Sequence, residues 1–228
     1  MMSQFTYNPP KHPYLRVVYH DDDIIVVDKP SGLLSVPGRT PENFDSVLSR
    51  VKTFCPDAAA VHRLDMDTAG LMVIALNNTA ASSLGIQFER RLVRKSYLAL
   101  AEGIITEKGK VELPLRCDWE HRPRQIVDFR QGKYALTFYE PLKTFKNCTL
   151  VKLLPYTGRS HQLRVHMAQI GHPLIGDRFY GEEHANLTED LCLASVELTF
   201  NTPDYGDRAL FKAEHYQNDF QRLAQLIA

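Results

Sequence analysis

No stretch of this 228-residue chain is apolar for long enough to cross a bilayer, so no membrane is expected as a partner. The opening Met1-Met2-Ser3-Gln4-Phe5-Thr6-Tyr7 has no basic cap followed by an apolar run, and no signal peptide is apparent. Cysteine is scarce. Cys55, Cys117, Cys148 and Cys192 are scattered without a C-x-x-C pair, which argues against a disulfide frame or a zinc knuckle and fits reduced thiols in the cytoplasm. Neither G-x-x-x-x-G-K-[ST] nor G-x-G-x-x-G occurs, so nucleoside-triphosphate and dinucleotide cofactors are disfavoured and none is expected. Net charge is also missing. Lys and Arg number 27 against 27 for Asp and Glu, so the molecule is not a generic polycation. No repeat, low-complexity tract or linker divides the chain. The economical count is one catalytic domain over residues 1–228, with residues 1–13 as a polar, proline-rich N-terminal arm. No heptad or extended apolar face is evident, which favours a monomer.

What remains is an ordinary globular composition, 44% hydrophobic and 24% charged, on which charge is unevenly spread. Arg90, Arg91, Arg94 and Lys95 form one basic group. Arg116, His121, Arg122, Arg124, Arg130 and Lys133 form a second, and Arg159, His161, Arg164, His166, His172 and Arg178 a third. Acid gathers in Asp21-Asp22-Asp23 and in Glu182, Glu183, Glu189 and Asp190. Any one group reads as solvated surface. Together they point to a polarised face on which a nucleic acid could be held locally.

Hydrophobic patterning predicts strands at 15–20, 24–28, 71–76, 97–101, 111–115, 134–139, 149–154, 191–200 and 209–212. Helices are expected at 45–54, at 79–91 with Leu84, Phe88 and Leu92 on one face, at 159–170 and at 220–227. For the third, Thr157 or Gly158 would supply the entry, Leu163, Met167 and Ile170 the apolar stripe, and Gly171 the stop. Strands predominate and do not alternate strictly with helices. The expected class is α+β, with a mixed, mainly antiparallel sheet flanked by helices.

The stretch His62-Arg63-Leu64-Asp65-Met66-Asp67-Thr68-Ala69-Gly70-Leu71 carries the chemistry. Asp65 follows a polar His-Arg pair and precedes a small-residue turn. A carboxylate kept ionised by a neighbouring guanidinium and partly stripped of water is a candidate nucleophile. Its bland alternative is a turn aspartate bonded to backbone amides. Asp65 with Asp67 suggests a D-x-D metal pair, as in a metal-dependent hydrolase, yet His62 and His161 lack H-E-x-x-H or H-x-H spacing. Arg63 and Arg164 are cationic partners for a carboxylate or for phosphates. Tyr97, at a strand start, reads as core or as an aromatic that stacks on a flipped base.

Three blocks now bear on the choice. They are Lys29–Gly38 (KPSGLLSVPG), His62–Leu71, and Thr157–Met167 (TGRSHQLRVHM), the last extended by Gly171–Gly181 (GHPLIGDRFYG). In this order they resemble the signature of the RluA family of pseudouridine synthases over nearly the whole chain. The resemblance implies a pseudouridine synthase-like fold with a central RNA-binding cleft, no cofactor, no metal, and RNA rather than DNA as partner. It implies that Asp65 is the nucleophile, that Tyr97 packs against the target base and takes part in proton removal, that Arg164 pairs with Asp65, and that Arg63 holds the space vacated by the flipped uridine. No S4-like domain precedes the first block, as in compact members. Tyr7–Pro10 and Cys117–Pro123 resemble members acting on both 23S ribosomal RNA and tRNA stem-loops. One departure is Thr68-Ala69-Gly70, where the family usually has Thr-Ser-Gly. The alternatives are a synthase for a different uridine and, more distantly, a non-catalytic RNA-binding module.

Overall fold

A computed structural model describes residues 6–181, 187–204 and 206–227; Met1–Phe5 of the expected arm and the acidic Glu182 and Glu183 lie outside the described residues. The chain is α+β, with mainly antiparallel strands and flanking helices, and it divides into two compact units. The first comprises Met1–Val93 and Thr199–Phe211, the second Arg94–Leu198 and Lys212–Ala228.

In the first unit, β1 (Arg16–His20), β2 (Ile24–Lys29) and β4 (Ala69–Ala75) pair antiparallel in that order, and the two-residue β3 (Ala59–Ala60) pairs with β4. Continuous apolar runs in β2 and β4 bury every residue of both strands, whereas β1 is exposed along its length. Helix α1 (Val47–Lys52) starts in a capping box between Ser46 and Ser49. The buried Arg50 side chain grips both Asp45 carboxylate oxygens and the carbonyls of Pro10 and Tyr14, and Tyr7 donates to the Asp45 carbonyl. Residues ahead of β1 are thereby pinned to α1. Helix α2 (Asn78–Glu89), capped by Asn77, packs on β4. It ends before expected because Arg91 adopts φ +59, so Leu92 falls beyond the helix and is exposed rather than part of an apolar stripe.

In the second unit, β5 (Arg94–Glu102), β10 (Cys148–Pro155), β9 (Leu136–Thr144) and β6 (Gly109–Glu112) pair antiparallel in that order. The strand expected over 111–115 is broken in two. Pro114 supplies no N–H, and after it β7 (Leu115–Cys117) turns to pair with β8 (Gln125–Val127) instead of continuing β6. Helix α3 (Gln162–Gln169) packs on β6, β8, β9 and β10. β11 (Leu193–Asn201) and β12 (Arg208–Lys212) each straddle the division of the chain, and α4 (His215–Ile227) packs on β5 and β10 with Phe220 and Ala224 buried.

Candidate active site

The β2–β4 ladder ends at the pair Lys29↔Gly70, so the loops leaving that end of the two strands start side by side. One is residues 30–38, the other residues 62–68. Register therefore brings together two sequence blocks that are well separated along the chain. Lys29 then fastens them. Its buried ammonium donates to the carbonyls of Leu33 at 2.7 Å, Met66 at 2.8 Å and Pro30 at 2.9 Å, using all three N–H groups. The Gly32 N–H also donates to the Met66 carbonyl, and Ser31 Oγ to that of Asp67. Ser35 Oγ accepts the Leu64 N–H and donates to the Leu64 carbonyl. Burial pulls the Lys29 pKa down to about 7, against the opposing pull of Asp67, Asp65 and Asp28.

Asp65 is thus held by its neighbours on both sides. Leu64 and Met66 are bonded to the first loop, and Asp65's own carbonyl accepts the Thr68 N–H. Its side chain is half-buried. Gly70 takes φ +104 as the chain swings into β4, a conformation that L side chains rarely adopt. Ala69 beside it is buried, opening the strand. Arg63 points outward, and among the described residues it has no ion pair or hydrogen bond. His62 serves locally, its Nε2 accepting the Val73 N–H while the ring stacks on Phe88 with centroids 4.6 Å apart.

Tyr97 and Arg164 stand in the second unit. Tyr97 is buried on β5, in register with Leu153 of β10. Arg164 is only 1% exposed on α3, and its Nε and Nη2 donate to Asp177 Oδ2 and Oδ1 at 2.7 and 2.6 Å. Asp177 Oδ1 also accepts the backbone N–H groups of Phe179 and Tyr180, while both rings lie about the guanidinium at 5.1 and 5.4 Å. His161 Nδ1 meets Tyr180 Oη at 2.7 Å, and that oxygen accepts the Gln125 N–H from β8.

Helix α3 differs from its expected form in two ways. It starts at Gln162, because His161 takes φ +51 and cannot continue a helix backwards to Arg159. It is also buried on all sides from Gln162 to Met167, not only along a stripe. Hydrogen bonds make that possible. Gln162 Oε1 accepts from Thr157 Oγ1 and the Arg159 N–H, and its Nε2 donates to the Leu136 carbonyl and Thr137 Oγ1. His166 Nε2 lies 3.0 Å from the Leu113 carbonyl, which can only accept, so Nε2 carries the proton and Nδ1 accepts from Thr137 Oγ1. Burial lowers the His166 pKa, the Leu113 carbonyl opposing it.

The third basic group is only partly a surface: Arg164, His161 and His166 are buried and already partnered, Arg159 and His172 are half-buried, and Arg178 is exposed. Arg90, Arg91 and Arg94 of the first group, and Arg122, Arg124, Arg130 and Lys133 of the second, are exposed. Among the described residues no three His, Cys, Asp or Glu side chains are placed to hold a metal ion. Sequence reasoning does not single out Lys29 or Asp177 as site residues. The available signal for Lys29 is a lysine that, with Asp28, closes an otherwise apolar strand. For Asp177 it is a lone acid in a glycine-bounded block.

A family model described as RNA pseudouridylate synthase matches residues 23–169. The chain is 50% identical over 208 residues to the Dual-specificity RNA pseudouridine synthase RluA of Pasteurella multocida (strain Pm70), spanning 89% of this chain and 94% of that protein. It is 48% identical over 215 residues to the protein of the same name from Escherichia coli (strain K12), spanning 93% and 98%. Among solved structures, Human RNA Pseudouridylate Synthase Domain Containing 1 matches with a TM-score of 0.73 at 29% identity, over 93% of this chain and 86% of that one. Human RNA Pseudouridylate Synthase Domain Containing 4 shares the fold, with a TM-score of 0.72 over 91% of this chain and 92% of its own.

Proposed function

The chain belongs to the RNA pseudouridylate synthase family, and from that premise we propose that it isomerises specific uridines in two RNAs, a 23S rRNA hairpin loop and a tRNA anticodon stem-loop. The observation that carries this reading is near-full-length identity of about one half to proteins named for dual specificity. We assign Asp65 as the nucleophile, Arg63, Tyr97 and Arg164 as substrate-binding groups, and the whole chain as one catalytic domain acting as a monomer in the cytoplasm. The matched region draws on both compact units, which supports treating them as one functional domain. Free thiols at Cys55, Cys117, Cys148 and Cys192 fit a reducing compartment.

In the proposed reaction the N1–C1′ bond of uridine breaks, the uracil turns, and a C5–C1′ bond forms. Asp65 acts through a carboxylate oxygen, either at C1′ as the uracil leaves or at C6 of the ring. In both routes the bond to Asp65 breaks again, a base takes the C5 proton, and N1 takes up a proton to end as N1–H. No electron or phosphoryl group is exchanged. The carboxylate must meet the nucleotide in a fixed pose, and the fastening of its turn by Lys29 and Ser35 suits that need. Tyr97 offers an aromatic face to the displaced base. Tritium release from RNA labelled at uracil C5 tests the specificity. Release from both stem-loops is expected, and release from one alone would reduce the reading to a single RNA class.

A further inference from the structure

Lys29 is 1% exposed and Lys95 half-buried, and the two are treated in opposite ways. Lys29 is given three carbonyl oxygens. The Lys95 ammonium is given nothing: among the described residues it has no hydrogen bond and no ion pair. Burial lowers its pKa with no carboxylate to oppose the shift. A half-buried ammonium that no carboxylate or carbonyl of the chain satisfies is open to an anion from outside it.

Its surroundings indicate what that anion is. Lys95 lies on β5 two residues before Tyr97, so the two side chains leave the strand on the same face. Its ammonium also sits over the loop that leads into α3, where a Cβ on Gly158 would be only 3.5 Å from Nζ. Gly158 has no side chain to cover the charge.

We propose that Lys95 is a phosphate-binding residue, and that its missing counter-ion is a backbone phosphate of the substrate RNA next to the uridine that Tyr97 receives. The assignment rests on the synthase reading for the role of Tyr97. RNA binding and turnover are separable, so the two can fail independently.

The test is equilibrium binding of a tRNA anticodon stem-loop to wild type, Lys95→Met and Lys95→Arg across a salt series, with thermal unfolding of each protein as a check on folding. Lys95→Met should bind several-fold more weakly, and its slope of log affinity against log salt should be shallower by roughly 0.7, the value of one phosphate contact on single-stranded nucleic acid. Lys95→Arg keeps the charge and should restore both. An unchanged salt slope in Lys95→Met would overturn the proposal, as would loss of the slope in Lys95→Arg. Normal binding by wild type without any tritium release would sink the synthase reading and leave the phosphate contact standing on the slope.

Discussion

Arg164 and Asp177 form a two-pronged ion pair with both side chains shut off from water, at 2.6 and 2.7 Å. The pair does more than cancel charge. Asp177 also collects the N–H groups of Phe179 and Tyr180, so the block after Gly171 is wrapped around the guanidinium. Removing one member leaves the other charged and buried. Asp177→Ala should therefore cost about 3–5 kcal/mol of stability, measured by urea unfolding with unchanged m-value. Arg164→Met combined with Asp177→Ala should be less destabilised than Asp177→Ala alone, because no orphan charge remains. A cost below about 1 kcal/mol for Asp177→Ala would show that the pair is solvated in solution.

Lys29 invites a second substitution. Lys29→Met fills similar space but strips donors from three carbonyls, those of Pro30, Leu33 and Met66. At roughly 1–3 kcal/mol per stranded buried acceptor, with some rewetted, the expected loss is about 2–4 kcal/mol. The sign of its pH dependence is also set. The folded pKa, about 7, lies below the unfolded 10.5, so between these values the unfolded chain holds the extra proton. Wild-type stability should gain from this group as pH rises through that window, and Lys29→Met should lose that gain. Parallel unfolding midpoints for the two proteins across the window would contradict the assignment.

His166 makes a similar contribution in the acid range. Its folded pKa is lowered from 6.5, and its neutral form is fixed between Thr137 and Leu113. The stability it supplies is present above the unfolded pKa and lost as pH falls through the folded one. His166→Gln keeps a donor for the Leu113 carbonyl but cannot titrate. Its unfolding free energy should fall less steeply than wild type below about pH 6.5, by up to about 1.4 kcal/mol per pH unit. Equal slopes would mean that His166 charges freely in the folded protein.

Much of this architecture is legible in the sequence because its signals are local. The apolar runs of β2 and β4 are buried strands, Gly171 does stop α3, and the block around Asp65 does form a tight turn. What escapes depends on contacts between distant residues. Hydropathy cannot tell that Gln162, Arg164 and His166 lie inside, because their burial rests on Thr137, Thr157 and Asp177 taking up their polar atoms. For the same reason the basic group on α3 reads as surface. Lys29 is odd at a strand end, but its bond to the Met66 carbonyl spans 37 positions and follows only from the β2–β4 register. The start of α3 at Gln162 is hidden by a single left-handed backbone at His161.

Asp65→Asn asks whether the Asp65 carboxylate performs the chemistry. The change preserves size and removes only the nucleophilic charge. Wild type, Asp65→Asn and a chelator-treated wild type would be compared for tritium release from a stem-loop labelled at uracil C5, with RNA affinity measured in parallel. Wild type should release tritium fully with or without chelator. Asp65→Asn should bind RNA within a few-fold of wild type and release no tritium. Equal release by Asp65→Asn would contradict the nucleophile assignment, and loss of wild-type release on chelation would move the chemistry to a metal.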